Sequence, residues 1–574
     1  MKRIVTILLS LPLALCSLCL GDTGGGEPFF KRRILNHWDN LDGTVERGYA
    51  GKSLWKWDQL PDSVSPRYAE YAKICYGAGI NGIVFNNVNA SSKILSREYL
   101  VKVAKIADVF REHGITVYLS ANFSAPMQIG SLPTADPLDK DVARWWRLKA
   151  DEIYSLIPDF GGFLVKANSE GQPGPCDYNR THADGANMMA RALKPYGGIV
   201  MWRAFVYSPN DLDRAKQAYE EFKPLDGKFD DNVIVQIKNG PIDFQPREPV
   251  SPLLFAMDST ATMPEFQITQ EYLGHSNHLV FLAPMWEEFF SQVSPGSQSA
   301  VAGVANVGDS PNFTSHPFAM ANLFAFGRLA CNPNLSSAEI AEEWVGEYLG
   351  VGDPVSKDKI VSMMLGSREA AVDYMMPMGL HHLFAYGHHY GPEPWCEVEG
   401  ARPDWLPSYY HQASADGIGF DRTSNGSNAV AQYPDSLARI YSDPKTCPEK
   451  LLLWFHHLPW DYRLPSGEIL WDALCRHYER GYQYTLGMLQ TWDECKPHIA
   501  DKDLWEDVHA RLLTQSKDAQ WWKDACLEYF STFHDLPYPE DVTPPVHTLD
   551  EMMRVKLPID NCTSPSAGLL NSVR

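Results

Sequence analysis

Apolar and polar positions follow two different rhythms along this chain. From about residue 30 to 350, short β-rich runs are separated by stretches that carry apolar residues at helical spacing. The runs are "RRILNHW" (32–38), "INGIVFNNV" (80–88), "ITVYLSAN" (115–122) and "GGFLVKANSE" (161–170). They continue with "GGIVMWRAFVY" (197–207), "NVIVQIKNG" (232–240), "PEFQITQEY" (264–272) and "AGVANVG" (302–308), eight in all. Segments such as 97–114 and 141–157 supply the intervening helices, and the sixth and seventh helices leave the faintest pattern. Eight such units predict an α/β fold, a (β/α)8 TIM barrel over 28–350. An open doubly wound sheet would alternate in the same way, but no glycine-rich dinucleotide turn follows the first run.

Over 351–574 the rhythm becomes mainly helical, with long amphipathic stretches at 357–376, 468–492 and 503–530. Leu470, Leu474, Tyr478 and Tyr482 recur every four residues and share one helical face. Between the first two stretches lies an aromatic, His-, Gly- and Pro-rich segment, 376–465, placed to lean over the barrel mouth. Aromatic residues in such a segment serve as core more often than as ligand platforms. No internal repeat beyond the barrel units and no low-complexity tract is present.

Composition narrows the setting. Lys2 and Arg3 precede a 17-residue apolar run and the small residue Gly21, so residues 1–21 read as a signal peptide. A retained anchor helix is the competing reading, but 17 residues containing Pro12 are short for a membrane span. Lipidation at Cys16 or Cys19 would anchor the chain, although leucine rather than a small residue precedes each. The expected location is secreted or periplasmic, with membrane anchoring left open. Net charge is −21, and loss of Lys2 and Arg3 with the leader takes it to −23, which excludes nucleic acid as a partner. The nine cysteines beyond the leader show neither metal-ligand spacing nor a dense disulfide framework. The pairs His381/His382, His388/His389 and His456/His457 place neighbouring rings on diverging directions, and no H-E-x-x-H pattern supports them as ligands. The sequence therefore calls for no metal and no cofactor.

Chemistry concentrates where barrel strands end. Trp38 closes the first run, Val88 the second, and Lys166 and Glu170 the fourth, where the chain breaks into "SEGQPGP". Arg203 lies late on the fifth, Lys238 ends the sixth with Asp243 just beyond, and Glu271 ends the seventh. The same charges could form a structural ion-pair network; their convergence on one face of the barrel weighs against that. Carboxylates without a metal point to glycoside hydrolysis, with one carboxyl as acid and another handling water or attacking the sugar. Cations inside a strongly acidic chain point to an anionic substrate group, and a ring carboxylate fits better than a phosphate, which lacks a glycine-rich cradle here.

The stretches "NHWDNLDGTVERGYAGKSLW" (36–55), "KANSEGQPGP" (166–175), "VQIKNGPIDFQPREP" (235–249) and "EFQITQEYLG" (265–274) resemble glycoside hydrolase family 67, the α-glucuronidases. "GLHHLFAYGHHYGPEPW" (379–395) and "HQASADGIGFDRT" (411–423) extend the resemblance toward the C-terminus. It implies a (β/α)8 catalytic domain followed by a helical domain that often forms a homodimer interface. It implies removal, with inversion, of α-1,2-linked (4-O-methyl)-glucuronic acid from xylooligosaccharides. By resemblance Glu170 is the general acid, and Asp243 with Glu271 holds and activates water. Lys166, Arg203 and Lys238 match the uronate-binding cations, Trp38 the aromatic lid of the sugar pocket, and Val88 the contact of the 4-O-methyl group. Members of the family usually carry a β-rich domain ahead of the barrel, whereas here only "DTGGGEPFFK" separates the leader from the first strand.

Two rivals remain at this stage: a catalytically silent binding protein for acidic xylooligosaccharides, and a retaining glycosidase. The intact set Glu170, Asp243 and Glu271 argues against the first. Burial and neighbouring negative charge are expected to raise Glu170 above an ordinary glutamate despite Lys166.

Overall fold

The computed structural model describes residues 27–205, 213–557 and 559. The leader expected at 1–21 lies outside them, as do Cys562 and the last stretch of the expected helical half. Among the described residues no helix is long and apolar enough to cross a membrane.

Eight parallel strands close into a barrel in chain order. They are β1 (Arg33–Asn36), β2 (Gly82–Phe85), β3 (Thr116–Ser120), β4 (Gly162–Val165), β5 (Ile199–Arg203), β6 (Val233–Lys238), β7 (Thr262–Gln267) and β8 (Val301–Val304). β8 returns to β1 with Val304 beside Asn36, which completes the ring. Seven of the strands are buried at every position, as expected of parallel strands covered on both sides, and in β3 only Thr116 is half-exposed. Gly162 opens β4 at φ +135°, and a Cβ there would lie 1.9 Å from the Ile199 carbonyl oxygen of β5, so only glycine admits that pairing.

The outer helices are α1 (Pro66–Gly77), α2 (Arg97–Arg111), α3 (Lys140–Leu156), α4 (His182–Leu193), α5 (Gln217–Phe222), α6 (Ala283–Gln292) and α7 (Ala319–Cys331). Local chemistry sets their starts: Ser96 caps α2, Asp139 caps α3, and Thr181 with Asp184 forms a capping box on α4. The sixth outer helix is replaced by a 3-10 turn, Pro252–Phe255. Pro241, Pro246, Pro249 and Pro252 crowd that connection, and repeated loss of backbone donors prevents a helix there.

Each strand is shorter than its apolar run. β7 ends at Gln267, so Glu271 lies four residues beyond the strand instead of ending it. Ile268, Tyr272 and Leu273 stay buried, which prolongs the apolar pattern after the ladder stops. Trp38, Val88, Lys166 and Glu170 likewise stand past the last residue of their strands, whereas Arg203 and Lys238 are final strand residues.

The helical half is built on α9 (Pro354–Met375), α10 (Leu470–Cys495) and α11 (Lys502–Phe530), and α8 (Ser337–Glu347), from the stretch expected for the barrel, packs against α9. Leu470, Leu474 and Tyr478 of α10 are fully buried. One hydrophobic core runs from the barrel into these helices without a break. Phe318 meets Trp492 at 5.7 Å between ring centres, and Tyr272 meets Phe384 at 5.4 Å. Polar bridges cross the same seam: His278 Nε2 lies 2.7 Å from Asp518, and the Leu279 amide donates to Gln515 at 2.9 Å.

Candidate active site

A cavity of about 290 Å³ opens at the C-terminal mouth of the barrel, and it gathers all eight residues singled out from the sequence. Lys166 follows β4 directly; its Nζ donates to Asn89 at 2.8 Å and forms an ion pair with Glu170. Glu170 is set by a strained turn in which Asn168, Glu170 and Gly171 all have positive φ. Asn168 pins that turn, donating to Asp177 at 2.9 Å and accepting from the Cys176 amide at 2.9 Å. Gly174 leaves it room, because a Cβ there would lie 2.0 Å from Asn168 Oδ1.

Lys238 donates to Asp243 Oδ1 at 2.7 Å, and the Tyr272 hydroxyl donates to Asp243 Oδ2 at 2.8 Å. Glu271 accepts from Gln267 at 2.9 Å, pairs with Arg47 Nε at 3.0 Å and bonds His389 Nδ1 at 2.8 Å. Arg203, fully buried, pairs through Nε with Glu265 at 3.0 Å. The Phe205 ring lies under three of these cations, with Lys238 at 3.8 Å, Lys166 at 5.0 Å and Arg203 at 5.3 Å from its centre. Cation–π attraction of about 0.5–2 kcal/mol per contact helps to gather like charges that would otherwise repel. Trp38 borders the cavity over Arg203, 5.6 Å from the ring centre, and Val88 is a buried wall residue.

Glu170, Asp243 and Glu271 are all held ionised. Burial pushes Glu170 up, but Lys166 beside it and the charge of Lys238 outweigh that and hold it below the ordinary glutamate range. The upward shift expected from sequence is thus reversed in the free protein. Asp243 behaves alike: burial raises it, while Lys238, Arg214 and the Tyr272 hydroxyl bring it well below the usual range. Glu271 is also raised by burial and lowered further by Arg47 and His389. The lysines Lys166 and Lys238 are lowered, chiefly by burial, against the pull of their carboxylate partners.

The histidine pairs turn to separate partners. His381 bonds Glu248, His382 bonds Gln245 and His389 bonds Glu271. Among the described residues one cluster has ligand-like proximity, Cys176, His182 and Glu221, within 4.8 Å of one another. His182 Nδ1 accepts from the Trp202 indole at 3.1 Å, so its proton sits on Nε2 and points at Glu221, 2.5 Å away. The Cys176 thiol is pushed up to about 11, chiefly by burial. The set is a hydrogen-bond chain and does not offer a vacant ring nitrogen and a thiolate.

Two domain profiles of one family cover most of the sequence: "Glycosyl hydrolase family 67 middle domain" matches residues 23–328, and "Glycosyl hydrolase family 67 C-terminus" matches 314–543. The chain belongs to glycoside hydrolase family 67. It is 42% identical over 539 residues to Alpha-glucuronidase A of Emericella nidulans, covering 88% of this chain and 63% of that protein. It is 41% identical over 530 residues to Probable alpha-glucuronidase A of Aspergillus clavatus, covering 88% and 62%. The chain thus spans about three fifths of these relatives' length. A solved GH138 enzyme targeting pectin rhamnogalacturonan II shares the fold, with a TM-score of 0.51 at 12% identity over 89% of this chain and 60% of that one.

The family 67 pocket also has walls that the sequence reading passed over. Glu46, Arg47, Asn89, Phe205 and Tyr272 lie inside or beside motifs already quoted, yet nothing in their spacing separated them from structural neighbours. His382, Tyr386, Gly387, His389 and Trp405 come from the irregular segment at 376–465, so part of that segment does form the mouth.

Proposed function

We propose that this protein is an inverting α-glucuronidase that releases α-1,2-linked (4-O-methyl)-glucuronic acid from xylooligosaccharides. The observation that carries the reading is one pocket in which Glu170, Asp243 and Glu271 each have a cation partner, with Arg203 and Phe205 alongside. The relatives named alpha-glucuronidase A support it. In this reading Lys166, Arg203 and Lys238 receive the uronate carboxylate, Trp38 covers the sugar and Val88 meets the 4-O-methyl group. Glu170 gives its proton to the glycosidic oxygen as the C1–O bond breaks. Water attacks C1 from the opposite face while Asp243 and Glu271, steadied by Tyr272 and His389, take its proton. Export through the leader and pairing through the helical half belong to the same proposal.

Incubation with an aldouronic oligosaccharide should release free uronic acid, and NMR of the first product should show the β-anomer. Binding without release would overturn the enzyme reading. The α-anomer as first product would overturn inversion, which needs the acid and the water-holding carboxyls ~6.5–9.5 Å apart.

The cations are already paired, which shapes how they can be tested. Arg203→Ala should destabilise the fold by about 3–5 kcal/mol, because Glu265 would be left buried without its partner. Arg203→Gln combined with Glu265→Gln removes both charges together. That double variant should stay folded and show KM for the uronate substrate raised roughly ten- to a hundred-fold, the worth of a charge-assisted contact. An unchanged KM would remove Arg203 from the uronate site.

The depressed Glu170 has its own consequence. A bound uronate competes for Lys166 and Lys238 and adds negative charge, so Glu170 should take up a proton as substrate binds. A general acid works only while protonated, so activity falls as pH rises through its pKa. The alkaline limb of kcat should therefore lie at higher pH than that of kcat/KM, which reports the free enzyme. Coincident limbs would refute this coupling.

A further inference from the structure

Asp243 sits in the proline-rich connection after β6, a stretch without helix or strand of its own. What fixes its backbone is a residue further along the same loop. The Glu248 carboxyl folds back beneath the turn and accepts from two successive amides, Ile242 N–H at 2.9 Å and Asp243 N–H at 2.8 Å. Gly240 makes room for it, since a Cβ there would stand 2.4 Å from Glu248 Oε2. The Glu248 side chain is fully enclosed and is absent from the pocket wall, so it reaches the substrate site only through Asp243. Its exit is closed by His381 of the helical half, whose Nε2 lies 3.0 Å from Oε1. The His381 ring is held in turn against Tyr410 at 5.0 Å and Trp454 at 4.9 Å between ring centres.

We propose that Glu248 is a positioning residue for Asp243, aiming its carboxylate at the attacking water, and that His381 holds Glu248 in place. The inference rests on the reading of Asp243 as part of the water-activating pair. Burial, with Asp243's charge adding to it, pushes the Glu248 carboxyl up to about 8. Near neutral pH it therefore stands beside Asp243 as a neutral acid and does not repel it.

The test begins with Glu248→Gln. A glutamine offers one acceptor oxygen, so its amide group would face one of the two backbone N–H donors and the turn would lose half its grip. A displacement of about 1 Å is worth roughly 100-fold in rate. The expected result is kcat lowered about 100-fold with KM for the uronate substrate within about twofold, because the cation site is untouched. Unfolded molecules would by themselves lower apparent kcat and leave KM unchanged, so kcat is referred to the folded fraction measured by circular dichroism, and the loss should persist after that correction. If Glu248→Gln does not fold, His381→Leu and His381→Gln carry the same reading. The first should lower kcat without moving KM, and the second, which keeps a polar end facing Glu248, should restore most of it. Wild-type kcat in Glu248→Gln, or in His381→Leu where the first does not fold, overturns the proposal when Asp243→Asn is inactive. Wild-type kcat in Asp243→Asn itself overturns the base assignment and this inference with it.

Discussion

Glu170→Gln should lose about 10²–10⁴-fold in kcat on a xylose-linked substrate and far less on an aryl glucuronide with an acidic phenol. The sugar alkoxide leaves as a strong base and needs the proton that only the carboxylic acid supplies. A low-pKa phenolate departs without one. Glutamine preserves the volume of the side chain and can still accept from Lys166, so the turn at Asn168–Gly171 should persist. Comparing the two substrates on one variant separates lost proton donation from lost structure. Equal loss on both would take the acid role away from Glu170.

Asp243→Asn and Glu271→Gln should fall by a similar 10²–10⁴-fold, but on both substrates alike. Water must lose a proton whatever group leaves, so a better leaving group cannot compensate. Asp243→Asn carries a second signature. Lys238 pairs with Asp243 at 2.7 Å in the free protein, and removing that negative charge leaves the ammonium more available to a uronate. KM should therefore drop while kcat collapses, a combination that simple damage to the pocket does not give. A rise in KM with preserved kcat would instead make Asp243 a binding residue.

The barrel was legible because its strands are short, mostly apolar runs and its helices begin at recognisable caps, such as Ser96 and Asp139. Strand ends were less so. Ile268 and Tyr272 are buried beyond the end of β7, and an apolar pattern does not distinguish them from residues in the ladder. The acid and cation positions stood out as charged residues at the ends of apolar runs. Arg47 carried no such mark: it lies in a loop at positive φ, 224 residues before Glu271, and only the folded chain brings the pair to 3.0 Å. His389 was visible only as half of a histidine pair, since its partner comes from the β7 loop. The direction of the Glu170 shift depended on contact geometry. Its sign turned on a direct ion pair with Lys166, and composition fixes no such distance.

The seam where Phe318 meets Trp492 and Tyr272 meets Phe384 has a consequence for how the molecule comes apart. Cutting there would expose aromatic surface on both pieces and strip His382 and His389 from the pocket. The barrel and the helices should accordingly melt together, in one calorimetric transition. Recombination between relatives meets the same constraint. A chimera joining one barrel to another's helices inherits two half-seams that never met, and only paired exchange of both faces would preserve the pocket.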